Sequence, residues 1–421
     1  MKRIDEIIKA NRQGKPIALP SICSAHPQIL AASILLAEQH DVALLVEATS
    51  NQVNQHGGYT GMRPNDFIKF VYDICAQYNV NTSRIIFGGD HLGPQVWRKQ
   101  SAKFAMAEAV ELVQAYVKAG FNKIHLDCSE GCAGEPAQVG DDVAAARAAI
   151  LAKACEEAAD DPSLLRYIVG TEVPPPGGAR ADETDVEIVA TRPEHAETTI
   201  SKHQQAFAAL DLDQVWDKVI GLVVQPGLEF APDHVFPFNM HAPDKLSVVL
   251  EGHDQLCYEA HSTDYQNAEV YKEIATRHFA IQKVGPALTF AYRQAVYALE
   301  AIEKWLGVAD PSNLTDVLEK LMINNPDYWN KHYTGNEKQL KLLRHFGYAD
   351  RIRYYWATDD AQKAVAKLMS NLTIEQPIQP LLEQYFDTQT IKLAEKLQET
   401  GMAWAQSFAI AEVQKALLPY F

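Results

Sequence analysis

The stretch Ile85–Pro94, which reads IIFGGDHLGP, decides how the rest of the chain is interpreted. Its apolar first part is typical of a buried strand in a parallel sheet. The strand then ends in a carboxylate, Asp90, and an imidazole, His91, which a buried strand does not need for packing. Enzymes built on an eight-stranded α/β barrel carry their catalytic groups at the carboxyl ends of the strands. The stretch therefore indicates a barrel strand with functional side chains at its end.

Seven further apolar runs alternate with amphipathic helical patterns along the chain. Because continuous apolar strands separated by helices predict a parallel sheet covered by helices, the fold class is α/β. Eight such units favour a closed (β/α)8 TIM barrel over an open doubly wound sheet, and no G-x-G-x-x-G motif supports a dinucleotide-binding fold. The predicted strands are Ile17–Ser24, Val42–Ala48, Arg84–Gly89, Lys123–Asp127, Arg166–Glu172, Val219–Gln225, Cys257–His261 and Phe279–Gly285.

The chain has 421 residues, whereas a barrel of this kind needs roughly 250. We assign residues 1–305 to the barrel and residues 306–421 to a helical C-terminal extension packed on it. The extension contains a basic and aromatic cluster around Arg351 and Arg353. This cluster is either an amphipathic packing segment or a means of bringing an arginine to the substrate or to a partner.

Composition and charge limit the classes of function. A hydrophobic content of 47% and a charged content of 22% are ordinary for a soluble protein. The sequence has neither a long apolar run nor a signal-peptide core, so we expect a cytoplasmic protein that does not interact with a membrane. The net charge of −16 argues against a nucleic-acid partner. The six cysteines are expected to be reduced, because disulfides are rare in large cytosolic proteins. Cys128 and Cys132 form a C-x3-C pair, but no second pair or nearby histidine completes a zinc-site pattern.

Three strand ends predict a metal site made of His91, Glu172 and His261. They follow the third, fifth and seventh strands, and alternate strands point their side chains into the same layer of a barrel. Two imidazoles and a carboxylate are typical of a catalytic divalent-metal site, with zinc expected first and manganese, nickel or cobalt as alternatives. Each residue could instead be a hydrogen-bonded core group. In a regular strand Asp90 and His91 would also point in opposite directions, unless Gly88-Gly89 loosens the backbone.

Other polar residues at strand ends suggest roles in catalysis and substrate binding. Asp90 and Asp127 are the candidate catalytic residues, because a carboxylate near the reacting hydroxyl can exchange its proton. A glycine at the exit of the eighth strand, followed by a helix start, predicts an anion site, with Lys283 as its cation or as an imine-forming nucleophile. The predicted substrate-binding residues are Glu47, Ser50, Asn51, Gln225, Lys283 and Gly285.

Taken together, these segments resemble the GatZ/KbaZ family, the Z subunits associated with class II D-tagatose-1,6-bisphosphate aldolase. The resemblance implies a TIM barrel related to class II aldolases, which pair an Asp with a metal-binding His at the third strand, as Asp90 and His91 do. A further histidine of the aldolases on the sixth strand is replaced here by Gln225. A tagatose-6-phosphate kinase label also attaches to the family, but this chain has no phosphate-binding G-x-x-x-x-G-K-[ST] loop. The segments that carry the resemblance are Glu47–Gln55, Gly88–Pro94, Gly170–Pro174, Tyr258–Gln266, Lys283–Phe290 and Asp350–Trp356.

The resemblance implies two alternative functions. The first, which we favour, is a metal-dependent ketose 4-epimerase or aldolase-type lyase that acts on a ketohexose or ketohexose phosphate by retro-aldol chemistry. In it, a divalent cation would stabilise the enediolate, and Asp90 or Asp127 would exchange the C4 hydroxyl proton. The second is a non-catalytic subunit that stabilises and activates a separate class II aldolase catalytic subunit. A homo-oligomer is compatible with both.

Overall fold

Eight parallel strands close into a barrel in the computed structural model, which describes residues 2–172, 188–373 and 376–421. The predicted (β/α)8 fold is thereby confirmed. Each strand pairs with its neighbours in chain order, and the first pairs with the last. The barrel strands are β1 Leu19–Cys23, β2 Leu44–Thr49, β3 Ile85–Leu92, β4 Lys123–Leu126, β5 Arg166–Val169, β6 Val219–Val223, β7 Cys257–Ala260 and β8 Phe279–Val284.

Helices connect the barrel strands and form the C-terminal extension, and a short hairpin of Glu229–Phe230 and Val235–Phe236 follows β6. Among the described residues, none of the helices has the length and apolar character needed to cross a membrane. The α-helices are Lys2–Arg12, Pro27–His40, Pro64–Gln77, Ala102–Ala119, Asp141–Ala158, Pro193–Ala208, Asp213–Trp216, Ala268–Thr276, Pro286–Trp305, Leu314–Asn324, Glu337–Phe346, Asp359–Asn371, Gln379–Leu382, Thr388–Gln398 and Trp404–Leu417. Short 3-10 helices are Thr82–Arg84, Pro94–Trp97, Pro162–Leu164, Ser247–Gly252, Pro326–Tyr328, Arg351–Tyr355 and Leu418–Tyr420.

The alternation of side chains along β2 shows how the sequence builds the barrel interior. Leu44 and Val46 belong to the large apolar core beneath the helices, whereas Leu45 belongs to a small apolar core that also includes Ile4 of the N-terminal helix. Because successive strand residues point to opposite faces, Glu47 lies on the same face as Leu45 and points into the barrel. The interior therefore has an apolar layer at its amino end and a charged layer above it.

A bulge near the end of β3 lets two neighbouring residues reach the same region. The pairing with β4 shifts by one residue between Gly89 and Leu92, and His91 adopts a left-handed backbone with φ of 48°. A bulge inserts one extra residue and re-aims the side chains around it. The backbone carbonyl of His91 accepts a hydrogen bond of 2.8 Å from the Ser50 hydroxyl. Asp90 and His91 can thus both line the interior, which a regular strand would not allow.

The C-terminal extension contacts the barrel at several places. Tyr420 near the end of the chain lies 2.9 Å, oxygen to oxygen, from the hydroxyl of Thr263, which follows β7. The buried Arg293, in the helix after β8, pairs with Asp350 at 3.1 Å. These contacts bring the 3-10 helix Arg351–Tyr355 against the barrel. The domain boundary at residue 305 remains a prediction.

Gly93 is required where the chain leaves β3, because a side chain there would collide with the backbone. A Cβ atom on Gly93 would lie 1.7 Å from the carbonyl oxygen of Asp127. We expect Gly93→Ala to lower the free energy of unfolding by about 3 kcal/mol or more, since the backbone must move. The matched control is Gly252→Ala, where a Cβ meets nothing within 4 Å. Chemical denaturation of both variants tests this, and equal stabilities would contradict the close approach.

Candidate functional site

A cavity of about 560 Å³ opens at the carboxyl ends of the barrel strands. Its volume is in the range of small-molecule binding sites. Asp90, His91, His261 and Lys283 line it, so residues from β3, β8 and the segment after β7 converge there. This is the position at which barrel enzymes carry their active sites.

Three histidines form a triangle at the base of this cavity. The ring centroids of His91, His125 and His261 lie 5.2 Å from one another in all three pairs. All three side chains are buried. Residues that are distant in sequence thus bring three imidazoles around one point, and we call this set the histidine triangle.

Each imidazole of the triangle has one ring nitrogen next to a different carboxylate. His91 Nδ1 lies 2.7 Å from Asp127, and His125 Nδ1 lies 2.9 Å from Asp90. In the same way, His261 Nε2 lies 2.9 Å from Glu259. Metal-binding histidines typically donate their second ring N–H to a carboxylate, which fixes the tautomer and the orientation of the ring.

The protonation of these groups follows from burial and neighbouring charges. Burial, with Lys283 nearby, lowers the pKa of His261 to about 3, so this imidazole is neutral. Burial also lowers the pKa of His125. Burial alone would raise the pKa of Asp90, but the charges of His91 and Lys283 outweigh it and hold the pKa well below its usual value. A neutral His125 can donate through Nδ1 to the ionised Asp90 at 2.9 Å, and the backbone N–H of His91 points at the same nitrogen at 3.3 Å.

The other ring nitrogen of His125 has no partner. His125 Nε2 is buried and forms no hydrogen bond within the described part of the chain. In the tautomer that donates from Nδ1 to Asp90, Nε2 presents a lone pair. Buried polar atoms are rarely left unpaired, and each such atom calls for an explanation such as a bound ion. A cation bound inside the triangle would provide one.

Two buried lysines support the carboxylates below the triangle. Lys123 lies 2.9 Å from Glu47 and 2.7 Å from Glu259, and all three side chains are fully buried. Lys283 forms a close ion pair with Asp90 and lies 3.4 Å from Glu259. With Asp127, four buried carboxylates therefore face two ammonium groups. Burial would lower the pKa of His91, but Asp90 and Asp127 outweigh burial and raise it. A proton on His91 therefore offsets part of the remaining negative charge in the absence of metal, and a divalent cation could take the place of that proton.

The protonation state of Lys283 decides whether this lysine could act as an imine-forming nucleophile. Burial would lower its pKa, but Asp90 and Glu47 outweigh burial and raise the pKa well above its usual value. An imine-forming lysine has to attack as a neutral amine, which requires a lowered pKa. The surroundings of Lys283 therefore favour a permanently charged lysine over a nucleophile.

The donor atoms of this cluster fit a metal ion. One potential ligand atom from each of Asp90, His125, Glu259 and His261 lies within 4.8 Å of the others. With metal–nitrogen bonds of about 2.1 Å and tetrahedral angles, the centroids of three imidazoles on one ion lie roughly 5 Å apart, as in the histidine triangle. Imidazole with carboxylate is a donor set for zinc and for other first-row divalent metals.

Several predicted site residues lie at or behind the cavity. Asp90, Asn51, Lys283 and Gly285 line it together with the histidine ligand candidates His91 and His261. Asp127 lies behind His91, where its second oxygen accepts hydrogen bonds from Ser129, so it positions His91. Glu47 is paired with Lys123 below the cavity, and Ser50 holds the backbone of His91.

Glu172 and Gln225 lie elsewhere, because their strands end earlier than the sequence pattern indicated. β5 ends at Val169, and the side chain of Glu172 pairs with His195 at 3.0 Å outside the cavity-lining set. β6 ends at Val223, and the side-chain oxygen of Gln225 accepts backbone N–H groups within its own turn. The structure thus does not bring Glu172 to His91 and His261. Residues 173 and 174 of the segment Gly170–Pro174 lie outside the described residues.

His125, Glu259 and Lys123 belong to the site but were not among the residues predicted for it. The sequence carries a signal for the first two: His125 precedes Asp127 by two residues, and Glu259 precedes His261 by two residues. Residues two apart on a strand point to the same face. The two-residue spacing could therefore have placed His125 with Asp127, and Glu259 with His261, on one strand face. The residues that each of them contacts in the barrel interior could be identified only from the fold.

The predicted anion site at the end of β8 is already occupied by a carboxylate of the protein. Asp264 accepts hydrogen bonds from the backbone N–H groups of Gly285, at 3.1 Å, and Ala287, at 2.8 Å. These amides belong to the start of helix Pro286–Trp305. The carboxylate takes the place that a substrate phosphate would need.

The C-terminal extension forms part of the cavity wall through Arg353, Tyr354 and Trp356. The guanidinium groups of Arg351 and Arg353 lie 4.5 and 4.6 Å from the centre of the Tyr354 ring. Burial would raise the pKa of Tyr354, but these two charges outweigh it and lower the pKa to about 8. Arg353 reaches the cavity, while Arg351 is buried and bonds to the carbonyl of Tyr328.

The fold and site define a (β/α)8-barrel protein with a buried carboxylate and imidazole cluster at the carboxyl ends of its strands. The model of a known family, D-tagatose-1,6-bisphosphate aldolase subunit GatZ/KbaZ-like, matches residues 4–421. The chain therefore belongs to the GatZ/KbaZ-like family. The match covers the barrel and the extension together.

Solved structures add a similar protein and two distant ones. A structure from Sinorhizobium meliloti 1021, described as a probable tagatose 6 phosphate kinase, is 40% identical with a TM-score of 0.85 and covers 96% of this chain and 99% of its own. Fructose-bisphosphate aldolase from Campylobacter jejuni is 12% identical with a TM-score of 0.44, covering 90% of this chain and 93% of its own. The YdjI aldolase from Escherichia coli K12 is 11% identical with a TM-score of 0.40, covering 86% and 94%. The last two are too distant to support an argument about this site.

The cap formed by Asp264 makes stability depend on pH. Burial raises the pKa of Asp264 to about 6, although its backbone hydrogen bonds oppose the shift. Because the folded state holds this proton more tightly than the unfolded chain, the stabilisation is lost as pH rises toward 6. Relative to Asp264→Asn, which keeps an oxygen acceptor, the wild-type free energy of unfolding should fall by about 1 to 2 kcal/mol between pH 5 and 7.5. Urea denaturation at both pH values measures this, and a constant difference would contradict the shift.

Proposed function

We propose that this protein is a metal-dependent enzyme that performs retro-aldol chemistry on a ketohexose, as a 4-epimerase or an aldolase-type lyase. The observation that carries the proposal is the histidine triangle, in which a different carboxylate supports each imidazole. A purely structural role does not require three converging imidazoles at the base of a cavity. Membership of an aldolase-subunit family is consistent with this chemistry.

His91, His125 and His261 would hold the metal. The ligand atoms of His125 and His261 lie within 4.8 Å of one another and of those of Asp90 and Glu259. His91 is included because its ring lies 5.2 Å from both of the other rings. Zinc is the first candidate, and manganese, nickel and cobalt fit the same donors. A divalent cation bound here would supply Lewis-acid stabilisation of the negative charge that develops at the ketose carbonyl. The three carboxylates behind the ring nitrogens keep the imidazoles oriented before metal and substrate arrive.

Asp90 is the candidate for moving the proton. It lines the cavity, and its low pKa keeps it ionised at neutral pH, so it can accept the proton of the C4 hydroxyl. When the C3–C4 bond forms again, Asp90 returns the proton to the C4 oxygen. Lys283, paired with Asp90, holds that carboxylate in place. Re-addition after rotation of the aldehyde gives the C4 epimer, whereas release gives cleavage.

The alternative function is a non-catalytic subunit for a separate aldolase catalytic subunit. The family description favours it, since it names the protein a subunit. Under this alternative the buried cluster would be retained from an ancestral enzyme. The first function requires the isolated chain to bind a metal and turn over a sugar, whereas the second requires neither. Metal binding and turnover by the isolated chain therefore distinguish the two functions.

Metal binding should depend on His125 and be independent of Glu172. We expect His125→Ala to weaken zinc affinity by about a hundredfold or more, because a ligand is lost, and Asp127→Asn by roughly ten- to a hundredfold. Glu172→Gln should bind zinc as the wild type does, since Glu172 lies away from the triangle. His203→Ala is the control for removing a buried histidine, whose Nδ1 is bonded to the carbonyl of Thr199. Titration calorimetry and elemental analysis give the affinities; metal bound through Glu172 would contradict the assignment.

Turnover by the isolated chain tests the chemistry itself. Metal-loaded protein should interconvert tagatose and fructose, or cleave one of them, and a chelator should abolish the activity. Asp90→Asn should lower kcat by roughly a hundredfold to ten-thousandfold, because the proton acceptor is lost. Metal content measured on the same sample shows whether the variant still binds the ion. An inactive wild type that nevertheless activates an aldolase subunit would establish the alternative.

A further inference from the structure

The cavity extends from the histidine triangle toward a second polar region next to the C-terminal extension. His26 and Gln28, beside the start of helix Pro27–His40, line this region with Trp356 of the extension. The His26 ring lies 6.2 Å from the Trp356 ring and 4.3 Å from that of Tyr292, centroid to centroid. We call His26, Gln28 and Trp356 the outer subsite.

Each member of the outer subsite has a buried polar atom without a partner. Within the described residues, His26 Nδ1, Gln28 Oε1 and Trp356 Nε1 form no hydrogen bond. Trp356 is only 5% exposed, so its N–H has little access to bulk water. Buried polar groups that remain unpaired are costly, and a ligand in the cavity would relieve this cost.

The unpaired atoms are suited to a neutral hydroxyl group. The indole N–H is a donor, and the amide oxygen of Gln28 is an acceptor. Burial lowers the pKa of His26 to about 3, so its imidazole is neutral. A hydroxyl group can accept from the indole while it donates to an oxygen or to an unprotonated ring nitrogen.

The cationic groups that line the cavity already have partners. In the described set they are Lys283, which pairs with Asp90, and Arg353. The guanidinium of Arg353 donates to the carbonyls of Ala349 and Asp350 and, at 3.1 Å, to the hydroxyl of Tyr354. The backbone amides after β8 are capped by Asp264. Three of the five N–H groups of Arg353 are thus already used, and a phosphate group would compete with these partners for the cations and amides of the cavity.

We propose that the outer subsite binds the terminal C6 hydroxyl group of an unphosphorylated ketohexose whose carbonyl end faces the histidine triangle. This inference rests on the proposed function and adds the substrate class to it. It also gives the C-terminal extension a specificity role, because Trp356 completes the subsite. The barrel residues hold the reacting end, and the extension recognises the distal end.

Binding of three sugars to metal-loaded protein tests the proposal. Calorimetry would compare tagatose, 6-deoxytagatose and tagatose 6-phosphate on the wild type and on Trp356→Phe. The variant should bind tagatose about five-fold more weakly, the factor expected for one neutral hydrogen bond, and should bind 6-deoxytagatose as well as the wild type does. Tagatose 6-phosphate should bind the wild type no more tightly than tagatose.

Trp329→Phe is a matched control from the same extension. Trp329 is similarly buried, but its N–H donates to the carbonyl of Met322 at 2.7 Å, and it does not line the cavity. This variant should lose thermal stability and keep its tagatose affinity. Trp356→Phe should lose less stability than Trp329→Phe, because both variants lose buried ring volume but only Trp329→Phe loses a hydrogen bond of the free protein.

The outcomes separate this inference from the proposed function. Three results would each overturn the outer subsite alone. The first is equal tagatose affinity of the wild type and Trp356→Phe, and the second is an equal loss of affinity for tagatose and 6-deoxytagatose in the variant. The third is tighter binding of tagatose 6-phosphate than of tagatose by the wild type. If the metal-loaded wild type binds none of the three sugars, the proposed function fails, and the outer subsite fails with it.

Discussion

The structure depends on a charged layer enclosed in the barrel. Glu47, Glu259 and Lys123 are completely buried, and removing Lys123 would take away the ammonium group that the two carboxylates share. Buried ion pairs are weak stabilisers compared with apolar packing, so their presence calls for another reason. Here that reason is the layer above: the lysines and carboxylates hold the groups that orient the histidine triangle. The small apolar core below them closes the other end of the barrel.

The bulge in β3 connects this layer to the cavity. Because the backbone at His91 is left-handed, Asp90 can contact the ring of His125 while the ring of His91 contacts Asp127. A regular strand would send one of these neighbours into the surrounding helices. Gly93 then allows the chain to pass directly over the backbone of Asp127. The backbone geometry at the end of β3 therefore determines where the side chains of the site lie.

The fold was predictable because parallel strands buried on both faces read as continuous apolar runs, and all eight of them are present. Strand ends were less predictable, because a polar residue after an apolar run can either extend the strand or begin the loop. Glu172 and Gln225 turned out to lie in loops, whereas His91 lies within the strand. The roles of His125 and Glu259 required knowledge of which strands face each other across the barrel. The bulge that brings Asp90 and His91 together depends on contacts such as the one from Ser50, which are not local in sequence.

The C-terminal extension forms one wall of the cavity. A barrel alone would leave the outer end of the site open, whereas Arg353, Tyr354 and Trp356 form a wall there. The family match spans both parts of the chain, so the wall belongs to the same architecture as the barrel. Under the proposed function, the barrel would carry the reaction and the extension would contribute to substrate recognition.

X-ray absorption at the zinc edge of the loaded protein measures directly which groups bind the metal. We expect a single site with three imidazole ligands at metal–nitrogen distances of about 2.0 to 2.1 Å, and the loss of one imidazole in His125→Ala. A spectrum without imidazole scattering, or one that His125→Ala leaves unchanged, would contradict it.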